Sequence, residues 1–329
     1  MTNLKPFKFE PYLKSVLWGG EKIAKYKGIV TDQHNIGESW EISGVDGHES
    51  VVAEGDDKGL NLRQIIEKYK GDLVGNAVYA KYGDTFPLLV KIIDAKGDLS
   101  VQVHPDDTLA KARHNSYGKT EMWYIIDAEE GAPIYAGLSK QITPEEYEKL
   151  VAENAIMDVI ARHDSHAGDL FFLPAGRIHA IGAGALVAEI QENSNLTYRL
   201  YDYDRVDKYG NKRPLHVEKA LKTANLKSSA EPRQPLRVLK YRQGVASELL
   251  CRCKYFEVYR MLVNTERRQR VYYRADSLSF RVLLCIGGCG VMMFSDQVLP
   301  ICKGDCVFVP ADSEEIRLHG VMQFLDIRG

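Results

Sequence analysis

The chain lacks a long hydrophobic run. Nowhere in its 329 residues does an apolar stretch approach the roughly 18 residues that a membrane helix needs. Its N-terminus, "MTNLKPFKFEPYLKSVLWGG", has neither the apolar core nor the small-residue cleavage site of a secretory signal. An excess of one charge is missing too: Lys plus Arg number 43 against 45 Asp plus Glu. No global field therefore favours nucleic acid or an acidic membrane. Cysteine is absent until the last third, which holds all six: Cys251, Cys253, Cys285, Cys289, Cys302 and Cys306. Their C-x-C and C-x-x-x-C spacings do not make a structural zinc knuckle. With no secretory signal, they read as reduced thiols rather than a disulfide frame. These absences predict a cytoplasmic protein that binds neither nucleic acid nor membrane. They set no oligomeric state.

What is present reads as an ordinary globular chain, 45% hydrophobic and 27% charged, long enough to bury a sizeable core. "NLRQIIEKYK" (61–70) carries Leu62, Ile65, Ile66 and Tyr69 at the spacing of one helical face. "TPEEYEKLVAEN" (143–154) opens with a capping box, Thr143 and Glu146 around Pro144. "HVEKALKTAN" (216–225) is a third candidate helix. Most other segments are short strands between Gly, Asp and Pro, among them "FPLLVKIIDA", "LSVQVHP", "EMWYIID", "DLFFLP", "ALVAEIQE" and "LTYRLYDY". That texture predicts a β-sandwich or barrel. It resumes after a polar, proline-bearing segment, "KSSAEPRQP" (227–235), which places a domain boundary near residue 235.

An internal echo links the two parts. "GDLFFLPAGRIHAIGAG" from Gly168 and "GDCVFVPADSEEIRLHG" from Gly304 share Gly-Asp, four strand residues and Pro-Ala. Five residues after the proline, the first copy has His179 and the second has Glu315. The chemistry is therefore expected in the first copy.

In "LSVQVHPDD" (99–107), strand alternation puts Leu99, Val101 and Val103 on one face and Ser100, Gln102 and His104 on the other. Pro105 ends the strand, and "DDTLAKA" can open a helix. "GKTEMWYII" places Lys119, Glu121 and Trp123 on a common face; an acid in an apolar strand is costly unless paired or metal-bound. "PAGRIHAIG" adds His179 after a turn. Two imidazoles, a carboxylate and an amide oxygen suit a borderline divalent metal, zinc first, with room for solvent or substrate. Each residue alone would read as a core or surface residue; four on cavity-facing positions of neighbouring strands point to a metal.

These segments, together with "QENSNLTYRLYDYDR", resemble in order the successive signatures of the type I mannose-6-phosphate isomerases, closest to the shorter bacterial form. "SVLWGG" (15–20) and "GESWEIS" (37–43) resemble N-terminal segments of that family. The similarity covers most of residues 7–225 and is much weaker beyond 235. It implies a mainly β chain: a cupin-type jelly-roll β-barrel or sandwich with a few short helices over residues 1–235. A second, degenerate β-sandwich unit without a metal site follows over 236–329. It further implies one Zn2+ per chain, held by Gln102, His104, Glu121 and His179, and a sugar phosphate substrate, with mannose 6-phosphate and fructose 6-phosphate interconverted. Arg199 takes an active-site position, and Ser100 and Lys119 stand where substrate contacts are expected.

Such an isomerisation moves a proton between C2 and C1 through an enediol. A metal polarises the sugar oxygens, and neutral Gln102 leaves the site net positive beside its one carboxylate. Arg199 can hold a phosphate bidentately; paired with Asp202 or Glu192 instead, it would be structural. Lys119 can bind phosphate or stabilise the enediolate, and Ser100 can donate a hydrogen bond. The general base has no sequence signature here: water, a histidine and a carboxylate all remain candidates. Trp18, Trp40, Glu41 and Lys91 read equally as cavity wall or core.

Other functions fit less well. A metal oxygenase on the same fold would favour a more histidine-rich ligand set. A non-enzymatic sugar-binding sandwich has no need of the full ligand set and Arg199. The Arg- and Tyr-bearing stretch 260–281 reads as a solvated sheet face rather than a single-strand nucleic-acid platform.

Overall fold

Alternating apolar and polar residues sort most of the chain into three antiparallel sheets. The computed structural model describes residues 4–207, 209–229, 232, 237–295 and 297–329. One sheet has six strands, in the order Leu170–Leu173, Glu121–Ala128, Ala185–Glu192, Leu88–Asp94, Ile36–Ser43 and Tyr12–Gly20. A second has five: Tyr198–Tyr201, Val101–Val103, His179–Ile181, Pro133–Leu138 and Ile160–Asp164. These two stack as a sandwich. Between them lie Trp18, Ile93, Trp123, Ile125, Ile134, Phe171, Ile181 and Val187.

The outer face of the five-stranded sheet, with Val101, Val103 and Leu200, packs on Tyr147 of the helix Pro144–Ala152 and Ala220 of the helix Val217–Leu221. Thr143 and Glu146 form the expected capping box on the first of these. Asn61 and Gln64 do the same for Leu62–Tyr69. The third helix stops at Leu221, well short of the span its sequence predicts.

The third sheet has ten strands and is built mainly from the C-terminal part, through Ile316–Arg328, Arg281–Phe294 and Cys306–Val309. Its far side is completed by Phe7–Glu10 and Val51–Val52, from the start of the chain. Phe7 stands opposite Phe308 in register. A shared apolar core joins this sheet to the outer face of the six-stranded one, with Phe280 stacked on Phe308 and against Phe86. Burying each such ring is worth roughly 1.5–3 kcal/mol, so the two parts stabilise each other. "SFRVLLCI" and "GVMMF", which read as separate strands, are one strand, Arg281–Phe294; it passes through a bulge where Gly288 takes φ +76°.

Both copies of the Gly-Asp echo form four-residue strands, Leu170–Leu173 and Cys306–Val309. The boundary expected near residue 235 lies outside the described residues. Among the described residues no helix is long and apolar enough to cross a membrane.

Candidate metal centre

The alternation in "LSVQVHPDD" resolves as two faces. Val101 and Val103 enter the outer core, so Gln102 faces the sandwich interior, with Ser100 and His104 on its side at either end of the short strand Val101–Val103. Across the sheet, Gln102 stands in register with His179 on one side and Arg199 on the other. Glu121 comes from the facing sheet. Its neighbours Met122 and Tyr124 point to the outer core and Trp123 points inward, as the parity of that strand requires.

Local turns aim these side chains. Pro105 ends the strand, and Asp106 caps the helix Asp107–His114 by accepting the Leu109 N–H at 2.8 Å. Before His179, the Arg177 N–H donates to the Pro174 carbonyl across Ala175 and Gly176, with Gly176 at φ +85°. That is a type II turn, whose third position favours glycine. A Cβ there would also crowd the Thr223 carbonyl at 3.2 Å.

His104 Nδ1 lies 2.8 Å from the Leu196 carbonyl and His179 Nδ1 lies 2.8 Å from the Arg177 carbonyl. A carbonyl only accepts, so each Nδ1 carries a proton, and in the neutral ring that leaves Nε2 as the lone pair. Those two Nε2 atoms face each other at 3.1 Å. Burial, then the charge of Lys119, holds the His104 pKa well below the usual imidazole range, so this ring stays neutral. Two lone pairs pointed at one another repel unless a cation lies between them.

Glu121 completes the set. Oε1 is 3.2 Å from His179 Nε2 and Oε2 is 3.7 Å from His104 Nε2. Both Glu121 oxygens are buried and form no hydrogen bond, although the Lys119 ammonium lies 3.2 Å from Oε2. Burial alone would raise the Glu121 pKa, yet the charge of Lys119 holds it well below the carboxylate range. The ligand atoms of His104, Glu121 and His179 all lie within 4.8 Å of one another. Gln102 Nε2 is 3.5 Å from His179 Nε2, and a half-turn of its amide brings Oε1 to the same place. The donor set fits a four-ligand divalent metal, with Nδ1 contacts to carbonyls fixing the ligating tautomer.

Arg199 is anchored beside this cluster. Its Nε donates to Ser100 Oγ at 3.1 Å and one Nη to the Pro214 carbonyl at 3.3 Å. The structural alternative, pairing with Asp202 or Glu192, is not what the chain adopts. Asp202 is taken by Arg205 and Arg213, and Glu192 accepts the Thr120 N–H at 2.7 Å. Among the described residues no carboxylate forms an ion pair with Arg199. Burial, with Arg213 nearby, lowers its pKa from the usual guanidinium value.

A second charged group lies behind the cluster, of which the sequence points only to Lys91, as cavity wall or core. Lys91 Nζ lies 2.9 Å from Glu189 Oε1 and 3.7 Å from Glu38 Oε2, all in strands of the six-stranded sheet. Glu189 also accepts the Trp123 indole N–H at 2.9 Å, and Trp123 meets the His179 ring edge-on. Trp40 donates to Glu38 at 2.7 Å. Burial would raise the Glu38 pKa, but Lys91 and Lys14 hold it at about 2. Lys91 and Trp40 thus belong to the wall beside the metal cluster. Trp18 packs in the sandwich core, and Glu41 pairs with Lys27 at 2.7 Å beside the C-terminal sheet. Of the other histidines, His114 contacts Tyr198 and lines a cleft of about 990 Å³ with Asp107, Glu192, Leu196 and Tyr255.

Comparison with known proteins places these features in context. Residues 7–132 match the family described as phosphomannose isomerase type I, catalytic domain, and residues 247–328 match the mannose-6-phosphate isomerase cupin domain. The likeness therefore continues into the C-terminal part, beyond the reach of the sequence motifs. A mannose-6-phosphate isomerase of Bacillus subtilis is 35% identical over 320 residues, 96% of each chain. One from Streptococcus mutans is 30% identical, covering 98% of this chain and 97% of its own. The crystal structure of the mannose 6-phosphate isomerase from Bacillus subtilis superposes with a TM-score of 0.89 at 32% identity, covering 99% of this chain and 100% of that one. A zinc-bound mannose 6-phosphate isomerase, 15% identical, shares the fold with a TM-score of 0.79 over 98% of both chains.

Proposed function

Because the chain belongs to the type I mannose-6-phosphate isomerases, we propose that it interconverts mannose 6-phosphate and fructose 6-phosphate at the cluster of Gln102, His104, Glu121 and His179, with one zinc ion. The observation that carries this reading is the pair of facing Nε2 atoms beside a buried carboxylate whose oxygens form no hydrogen bond. A zinc ion held there supplies a Lewis acid for the sugar's carbonyl and hydroxyl oxygens.

The chain's own residues do the rest. Arg199, fixed by Ser100 and Pro214 and with no carboxylate partner among the described residues, receives the phosphate, and Ser100 adds a hydroxyl to the same contact. Lys119, buried against Glu121, puts a positive charge next to the oxygens that become negative in the enediolate. Sheet positions rather than loops carry Gln102, Glu121, His179 and Arg199, which keeps the constellation rigid while charge develops.

The chemistry lies within residues 1–235 and the unit 236–329 has no metal site, since Glu315 stands in place of the ligand histidine. Instead, Lys254 and Tyr255 both hold Asp107, at 2.8 and 2.9 Å, on the helix that follows His104. A cytoplasmic setting agrees with six free thiols.

The test is turnover of mannose 6-phosphate by the purified chain before chelation, after it, and after zinc is restored. Activity that disappears and returns supports the assignment; activity indifferent to chelation removes the metal from it; no turnover in the zinc-loaded protein removes the isomerase reading.

A further inference from the structure

Two cysteines far from the metal cluster are paired by the sheet itself. The strands Arg281–Phe294 and Gln297–Cys302 form a hairpin in which Cys289 stands directly opposite Cys302. The Lys303 N–H donates to the Gly288 carbonyl at 3.0 Å, so residues 288 and 303 form a hydrogen-bonded pair. Antiparallel pairs alternate, which makes 289 and 302 the non-hydrogen-bonded pair. Accordingly, the Cys302 N–H turns to Asp305 Oδ2 at 2.8 Å instead of to Cys289.

At such a pair the Cα atoms approach to about 4.5 Å and the side chains rise from the same face. Disulfides accept Cα separations of about 4.4–6.8 Å, so the backbone needs no rearrangement to bridge these residues. Both thiols are exposed, whereas the neighbours Met292 and Ile301 point into the core. Cys285, the other cysteine on the long strand, is buried in that core with its thiol turned to the Gly287 carbonyl.

We propose that Cys289 and Cys302 form a reversible cross-strand disulfide by exchange with a low-molecular-weight disulfide. The thiolate of one cysteine attacks a sulfur of the small disulfide, breaks its S–S bond and releases one small thiol, leaving a mixed disulfide. The second thiolate attacks the protein sulfur of that bond and expels the second small thiol. Two protein thiols are oxidised by two electrons, and the small disulfide is reduced to two thiols that take up the two protons. The bridge staples Gln297–Cys302, a strand whose backbone pairs among the described residues with its hairpin partner alone, to the body of the sheet.

The test uses the zinc-loaded full chain incubated with oxidised glutathione, then alkylated and digested with trypsin and an Asp-specific endoprotease. Cleavage after Arg281, before Asp296 and after Lys303 puts the two cysteines on separate peptides, 282–295 and 296–303. The expected product is those peptides joined and two hydrogens lighter than their sum. Cys285 should be found alkylated, and the link should be lost on treatment with dithiothreitol before alkylation. In Cys289→Ser, Cys302 should stop at the mixed disulfide with glutathione. Both peptides recovered alkylated, a link through Cys285, or glutathione persisting on each of the two cysteines in the unsubstituted chain would overturn the proposal.

Discussion

His104 and His179 present their Nε2 atoms to each other at 3.1 Å, each with its Nδ1 proton committed to a backbone carbonyl. A metal ion between two neutral rings makes that arrangement favourable. Replacing His179 with alanine should remove zinc from the purified protein and lower kcat/KM by at least about 100-fold, the upper end of what loss of a supporting contact costs a metal site. Thermal unfolding supplies the control: chelation should lower the midpoint of the unsubstituted chain and leave His179→Ala unchanged. A variant that retains stoichiometric zinc would contradict the assignment of this ligand.

The role of Arg199 separates binding from chemistry. Arg199→Lys keeps the charge but loses the planar fork, and a charge-assisted hydrogen bond is worth about 1.5–3 kcal/mol. KM for mannose 6-phosphate should rise by about 10- to 100-fold with a smaller change in kcat, and Ser100→Ala should shift KM the same way by less. Steady-state kinetics at saturating zinc decide the matter. Unchanged KM in both variants would place the phosphate elsewhere.

Lys91 serves two buried carboxylates at once, Glu189 and Glu38. Lys91→Met leaves both without their shared cation, and breaking a buried ion pair typically costs about 3–5 kcal/mol. Urea unfolding of the zinc-loaded protein should show a loss of that order, largely recovered when Glu189→Gln is added. A neutral single variant would mean that Lys14, Trp40 and Trp123 satisfy these acids without it.

Glu192 sets a pH dependence of stability. Burial is the first cause of its raised pKa, about 8, with Asp107 nearby contributing and the Thr120 N–H opposing. A carboxylic acid whose folded pKa exceeds its unfolded value binds a proton more tightly when folded. Its contribution is therefore fully present below the unfolded value, near 4.5, and is lost as pH rises through about 8. Glu192→Gln mimics the protonated form. Between pH 5 and 9 the unsubstituted chain should lose stability relative to this variant, by on the order of a few kcal/mol. Parallel curves of denaturation midpoint against pH would refute the claim.

The proposed metal ligands are legible in the sequence because period-two alternation fixes which strand residues share a face. Once Val101 and Val103 are core, Gln102 must face the other way. The buried group of Lys91, Glu189 and Glu38 is not legible, since a single charge in an apolar strand reads the same whether it meets water or a partner on another strand. Lys91 and Glu189 are 98 positions apart, and only the sheet order brings them together. The pairing of Phe7–Glu10 with Cys306–Val309 is hidden for the same reason, because local pattern carries no information about distant edges. The third helix stops at Leu221, where the Thr223 and Ala224 N–H groups both turn back to the Ala220 carbonyl, while Ala224 and Leu226 still pack on the same core.

The most direct measurement is a zinc titration of the chelated protein with mannose 6-phosphate turnover as the readout. The account predicts a rate that climbs linearly from near zero and breaks at one zinc per chain, with no such rise in Glu121→Gln. Full turnover before zinc is added, or a titration indifferent to Glu121, would contradict it.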